Sequence, residues 1–249
     1  FVLMGASKRG LTVWLTASVD IRVKAIVPLV FDAINLGKTL SRQLTIYGKH
    51  GDALGDYEKC GLLNHEKLDL LKIIDPYTYL QDITIPKYLI NSTGDKFFLP
   101  DSSQLYFGDI VGPKYLCYVP NSDHNLHKLN KDMIITFFCS IISAMPLPHI
   151  PCATANNPPF LVIVNQQPSK VKLWHAVNSK SRDFRSTTDN PHWTSYDMVC
   201  NLNVLNEYMP VLLPGWNAYF VELTYDNMVY DNKNIVFTTN INIVYFNQL

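Results

Sequence analysis

Near residue 145 the hydrophobic pattern of this chain changes period, and few architectures accommodate both patterns. Before that point, short apolar runs alternate with stretches at helical spacing. Phe1–Met4, Lys24–Val30, Lys87–Asn91 and Tyr115–Val119 read as strands. Ser7–Val19 reads as a helix with Leu11, Trp14, Leu15 and Val19 at helical spacing, and Lys128–Ala144 as a closing helix. Residues 33–74 read as helical and irregular, with an amphipathic piece at Glu66–Ile74. Strands alternating with helices predict an α/β unit with a parallel sheet over residues 1–145. The stretch MPLPHIPCATANNPPF at 145–160 carries five prolines and predicts a linker over 146–160. Beyond it only strand-like runs remain: Leu161–Asn165, Val171–Val177, Trp193–Tyr196, Trp216–Tyr225 and Ile235–Phe246. Turn signals at Gln167-Pro168, Pro214-Gly215 and Asp231-Asn232 separate them, which predicts a small all-β sandwich over 161–249.

Composition narrows the classes of function. Hydrophobic residues make up 47% of the chain and charged residues 17%, a globular balance. The formal net charge is zero, so there is no basic face for nucleic acid and no polybasic stretch for an anionic membrane. The longest uncharged apolar run starts at Met133 and stops at Pro146, too short for a transmembrane span. The five cysteines (Cys60, Cys117, Cys139, Cys152 and Cys200) are widely spaced with no CxxC pair, so no metal site is expected, and no cofactor motif is present. The odd count leaves open buried thiols or a secreted chain with partners upstream. Because Phe1 opens inside a strand-like run, the chain is expected to be a fragment that lacks its upstream strands and any signal peptide. Such a sheet, missing its first strands, is expected to aggregate when expressed alone.

Three short segments carry the chemistry. Gly5-Ala6-Ser7-Lys8-Arg9-Gly10 follows a strand and opens a helix, the setting a nucleophilic serine needs on a tight, strained turn. In the G-x-S-x-G pattern position 9 would be small, whereas here it is Arg9 and the glycine comes one residue later. Asn91-Ser92-Thr93-Gly94-Asp95 follows the third strand and offers Asp95 as an acid to orient an imidazole, with Asp101 and Asp123 as rivals. Val119-Pro120-Asn121-Ser122-Asp123-His124 follows the fourth strand and offers His124 as the base. His127 is the poorer choice because it starts the helix. The order Ser, Asp, His is that of α/β-hydrolases. Spacings of 88 and 29 residues leave room for a cap at 33–74 and then for one helix and strand. Ser7 would attack a carbonyl, His124 would carry the proton, and Asp95 would orient His124. The backbone N–H of Lys8 would give one oxyanion donor, and a second would come from a loop upstream of residue 1.

The surrounding residues read more plainly. Lys8 and Arg9 could hold a substrate carboxylate or simply pair with nearby acids. Phe97, Phe98 and Leu99 could line a pocket or fill core, and Trp174, Trp193 and Trp216 read as sandwich core. Asn91-Ser92-Thr93 matches a glycosylation sequon at a strand end expected to be buried.

On GASKRGLTVWLTASVDIRVKAIVPLVFDAINL (5–36), INSTGDKFFLPDSSQLYF (90–107) and KYLCYVPNSDHNL (114–126) the chain resembles the PhoPQ-activated pathogenicity-related protein family. LWHAVNSKSRDFR (173–185), PGWNAYFVELTY (214–225) and FTTNINIV (237–244) extend the resemblance through the β part. The resemblance implies the C-terminal part of an α/β-hydrolase sheet, with Ser7, Asp95 and His124 as the catalytic set. It also implies export and, in amoebal members, a secreted signal that limits proliferation and repels cells. Two functions follow as expectations. One is an extracellular serine hydrolase acting on a small ester or peptide. The other is an autocrine signalling protein on a non-catalytic hydrolase scaffold, with a cell-surface receptor as partner.

Overall fold

The computed structural model describes residues 1–49, 68–149, 152–154, 160–187, 191–199, 204–207, 212–226 and 233–247. Strands β1 (Val2–Ala6), β2 (Ala25–Leu29), β3 (Lys87–Ser92) and β4 (Lys114–Val119) form a parallel sheet in the order β1-β2-β3-β4. Helices cover both of its faces. Alternation along the strands sends Ile26, Leu89, Leu116 and Tyr118 to one face, where α1 (Lys8–Val19) contributes Val13 and the fully enclosed Trp14. Val27, Tyr88, Ile90, Cys117 and Val119 face the other way, against Met133, Ile134 and Phe137 of a helix at Asp132–Ile142. A strand covered on both faces must bury every residue, and all six of β3 are buried, Lys87 included. Its ammonium donates to the Ile85 carbonyl at 2.5 Å and the Val111 carbonyl at 2.7 Å. Burial, and then the charge of Lys114, push its pKa down to about 8.

Among the described residues, the region between β2 and β3 holds two α-helices, α2 (Leu36–Tyr47) and α3 (Leu68–Ile74), so that the helix at Asp132–Ile142 is α4. The start of α2 is held from a distance. Asn35 N–H and Leu36 N–H donate to the two carboxylate oxygens of Asp75 at 3.2 and 2.6 Å. The first two residues of the expected amphipathic piece at 66–74 lie outside the described residues.

The second half is antiparallel. β7 (Lys170–Asn178) pairs with β8 (Thr194–Asp197) and with the long β10 (Gly215–Tyr225), whose other edge takes β11 (Ile235–Thr238) and β12 (Asn242–Phe246). A three-stranded sheet of β5 (Cys152–Thr154), β6 (Phe160–Ile163) and β9 (Val204–Glu207) accompanies it. The single strand expected over 235–246 is two, separated by a bulge. Tyr219 pairs with Asn242 and Glu222 with Thr238, so three steps on β10 face four between β11 and β12. Thr239 fills the gap, with its N–H donating to the Val221 carbonyl and its Oγ1 accepting from the Val221 N–H at 3.1 Å.

The proline-rich stretch is more structured than a linker. Leu147 is buried in the same core as Phe137, and residues 152–154 form β5, which pairs with β6. Residues 150–151 and 155–159 lie outside the described residues, as does the expected turn at Asp231-Asn232. Both apolar clusters run through from the parallel to the antiparallel sheet. Phe237 of β11 stacks on Tyr115 at 4.8 Å, and Tyr88 donates its hydroxyl to the Val236 carbonyl at 2.5 Å.

Candidate active site

Because β1 to β4 run parallel, the loops after them all emerge at one edge of the sheet. Ser7 directly follows β1. Its backbone sits at φ 54° and ψ −124°, strained for a non-glycine residue. Its N–H donates to the Leu29 carbonyl at the end of β2 at 2.9 Å, and its own carbonyl accepts from Gly10 N–H at 2.7 Å. The close approaches in this turn explain the displaced glycine. A Cβ on Gly5 would lie 2.5 Å from the Arg9 carbonyl oxygen, and one on Gly10 would lie 2.5 Å from Phe31 Cβ. Position 9 itself points to solvent, so Arg9 fits where a small residue was expected. Lys8 is likewise exposed, and among the described residues no salt bridge joins either cation.

Asp95 and His124 meet. Asp95 is 4% exposed, and its Oδ2 lies 2.7 Å from His124 Nδ1. Its Oδ1 accepts from Phe97 N–H at 2.7 Å, so both oxygens are used and the carboxylate is fixed in rotation. Phe97 packs edge-on against the imidazole, ring centroids 4.5 Å apart, and Phe98 lies at 6.1 Å. Phe98 is also core, edge-on to Phe31 at 6.2 Å. A carboxylate on Nδ1 leaves Nε2 as the imidazole atom available for proton transfer.

The rival acids are engaged elsewhere. Asp101, 1% exposed, takes a short ion pair from Arg42 of α2 and another from Arg182 at 2.5 Å. Asp123 lies 3.2 Å from His127, both at the surface. Among the described residues no group of three or more His, Cys, Asp or Glu could hold a metal. No helix there is long and apolar enough to cross a membrane. Cys117 and Cys139 are free thiols, burial pushing that of Cys117 up to about 12. Cys60 and Cys200 lie outside the described residues. The sequon acceptor Asn91 is 3% exposed within β3, too enclosed for a glycan. Trp193 is core beside Phe220, whereas Trp174 and Trp216 are half-buried.

One acidic residue escaped the sequence reading. Asp32, 3% exposed just past β2, accepts hydroxyl hydrogen bonds from Tyr106 at 2.5 Å and Tyr118 at 2.7 Å. Burial outweighs both bonds and pushes its pKa up to about 7. Its position straight after the buried run AIVPLVF was the available signal.

Residues 1–185 match the family described as PhoPQ-activated pathogenicity-related protein. The chain belongs to that family. The Autocrine proliferation repressor protein A of Dictyostelium discoideum is 33% identical over 275 aligned positions, covering 98% of this chain and 56% of that protein. The chain therefore spans about half the length of that curated relative. Among solved structures, acetyl xylan esterase 1 of Thermoanaerobacterium sp. JW/SL YS485 aligns at TM-score 0.44 and 18% identity, over 58% of this chain and 45% of that one. The acylaminoacyl peptidase of Pyrococcus horikoshii aligns at TM-score 0.37 and 17% identity, over 49% and 19%. These scores are too low to carry anything about the site. The α/β-hydrolase fold rests on the parallel sheet, its helices and the strained turn after β1.

Proposed function

We propose that this chain carries the reacting groups of an extracellular serine hydrolase acting on a small ester or peptide. The observation that carries the reading is the 2.7 Å contact of Asp95 Oδ2 with His124 Nδ1, at the sheet edge where Ser7 occupies its strained turn. In the proposed reaction His124 Nε2 takes the Ser7 hydroxyl proton as Oγ attacks the substrate carbonyl. Asp95 holds the imidazole in the required tautomer and stabilises the imidazolium. The backbone N–H of Lys8 donates to the developing oxyanion. The imidazolium then protonates the leaving group, and water repeats the sequence to release the acyl group. The test is a fluorophosphonate probe on the full-length parent protein. Wild type should be labelled and Ser7→Ala should not. An unlabelled, folded wild type would count against the reading.

The resemblance to an autocrine proliferation repressor favours a second reading, a secreted signal that uses the hydrolase fold as a scaffold. Full-length Ser7→Ala protein added to growing cells separates the two. Repression retained without the serine supports the signalling scaffold and directs the search to a receptor.

A further inference from the structure

Residues of the antiparallel half hold the loops that carry Asp95 and His124. Asn121, three residues before His124, adopts φ 52°, a conformation asparagine tolerates better than most residues. Its backbone N–H donates to Thr93 Oγ1 at 3.0 Å, which ties the histidine loop to the acid loop. Its side chain makes a reciprocal pair with the backbone of one residue of the antiparallel half. Nδ2 donates to the Trp193 carbonyl at 2.8 Å, and Oδ1 accepts from the Trp193 N–H at 2.7 Å. A second tie lies close by. Ser186 N–H donates to the Gly94 carbonyl at 2.9 Å, and Gly94 N–H donates to the Ser122 carbonyl at 3.0 Å. The fit is tight, since a Cβ on Gly94 would lie 2.8 Å from both the Ser122 oxygen and Ser186 Cβ.

We propose that Asn121 is a positioning residue, and that it, Ser186 and Trp193 hold Asp95 and His124 in register for the reaction. This rests on the serine-hydrolase reading. The physical case is that a primary amide carries a donor and an acceptor on one short side chain, which matches the N–H and carbonyl of a single residue. Trp193 is 4% exposed and Thr93 1%, so water cannot readily replace these bonds. A displacement of about 1 Å between reacting groups is enough to cost ~100-fold in rate. Ser186 and Trp193 thus act with Asn121 as positioning groups for the reaction.

The experiment uses the full-length parent protein and follows fluorophosphonate labelling to completion. Asn121→Gly keeps the backbone conformation and deletes the amide. It should lower the labelling rate constant by ~10- to ~100-fold while the labelled fraction at the end point stays near that of wild type. Asn121→Asp sets an acceptor-only carboxylate oxygen against the Trp193 carbonyl and should recover none of the rate. Lys170→Ala, in an exposed pair with Asp197 of the same half, should label at the wild-type rate. A lowered end point with an unchanged rate constant would mean a purely structural role and would overturn the proposal. The downfield proton resonance of His124 Nδ1–H gives a readout independent of probe reactivity. It should broaden or exchange faster in Asn121→Gly, and an unchanged resonance overturns the positioning role. A wild type that fails to label sinks the hydrolase reading instead, while the resonance still decides whether Asn121 holds the pair.

Discussion

The parallel and antiparallel halves bury polar groups for different ends. In the parallel half they collect past the carboxyl ends of the strands, where Asp32, Thr93, Asp95 and Ser122 are all buried. In the antiparallel half the buried polar groups mostly close turns and bulges. Asn217, fully enclosed, bonds Leu213 through both its oxygen and its nitrogen and also reaches the Gly215 carbonyl. Thr239 does the same for the bulge opposite Val221. Strand direction explains the contrast. Parallel strands deliver every following loop to one edge, so residues far apart in sequence converge there. Antiparallel neighbours deliver successive loops to opposite ends, so a buried amide such as Asn217 satisfies its own turn.

The largest expected effect tests whether the parallel edge is the reacting one. Asp95→Asn should lower hydrolysis or probe labelling by ~10⁴-fold in a protein that still folds, because the amide favours the wrong imidazole tautomer. A loss below tenfold would remove Asp95 from the reaction. Next, Leu223→Ala in the antiparallel core, where Leu223 is fully enclosed beside Val171 and Leu173, should destabilise by ~2–5 kcal/mol in denaturant unfolding. The labelling rate constant of the folded fraction should not move. A rate loss there would extend the positioning role to the whole second half.

The smallest effect concerns Asp32. Its folded-state pKa is raised from 3.8 to about 7, so the folded chain keeps a proton that the unfolded chain has already released. The stability this group contributes is present below the unfolded value and is lost as pH rises toward about 7. Asp32→Asn cannot titrate, so it should lose less stability than wild type between about pH 5 and about pH 8, by on the order of 1–3 kcal/mol. Denaturation midpoints at the two pH values measure this, and parallel behaviour of the two proteins would show that Asp32 ionises normally.

Much of the fold was legible because period and burial agree. The four parallel strands lie at or within two residues of the apolar runs that predicted them, and the strained turn at Ser7 was readable from a serine between a strand and a helix. The division of Ile235–Phe246 was not legible, since a one-residue bulge leaves no mark on an apolar run. That position 9 tolerates Arg9 was not legible for a similar reason. The constraint falls where backbone meets Phe31 and the Arg9 carbonyl, contacts absent from the local sequence.

The sequence by itself determined the strand–turn–helix order, the parallel-to-antiparallel switch, and the positions of Ser7, Asp95 and His124 after their strands. These depend on local pattern, which adjacent residues carry. Only the tertiary structure decided which of several acids meets His124, sending Asp101 to two arginines, Asp123 to His127 and Asp32 to two tyrosines. It also decided that Asn121 reaches across 72 positions to Trp193. A hydrogen bond depends on distance and direction in space, and those are set only when the sheets pack.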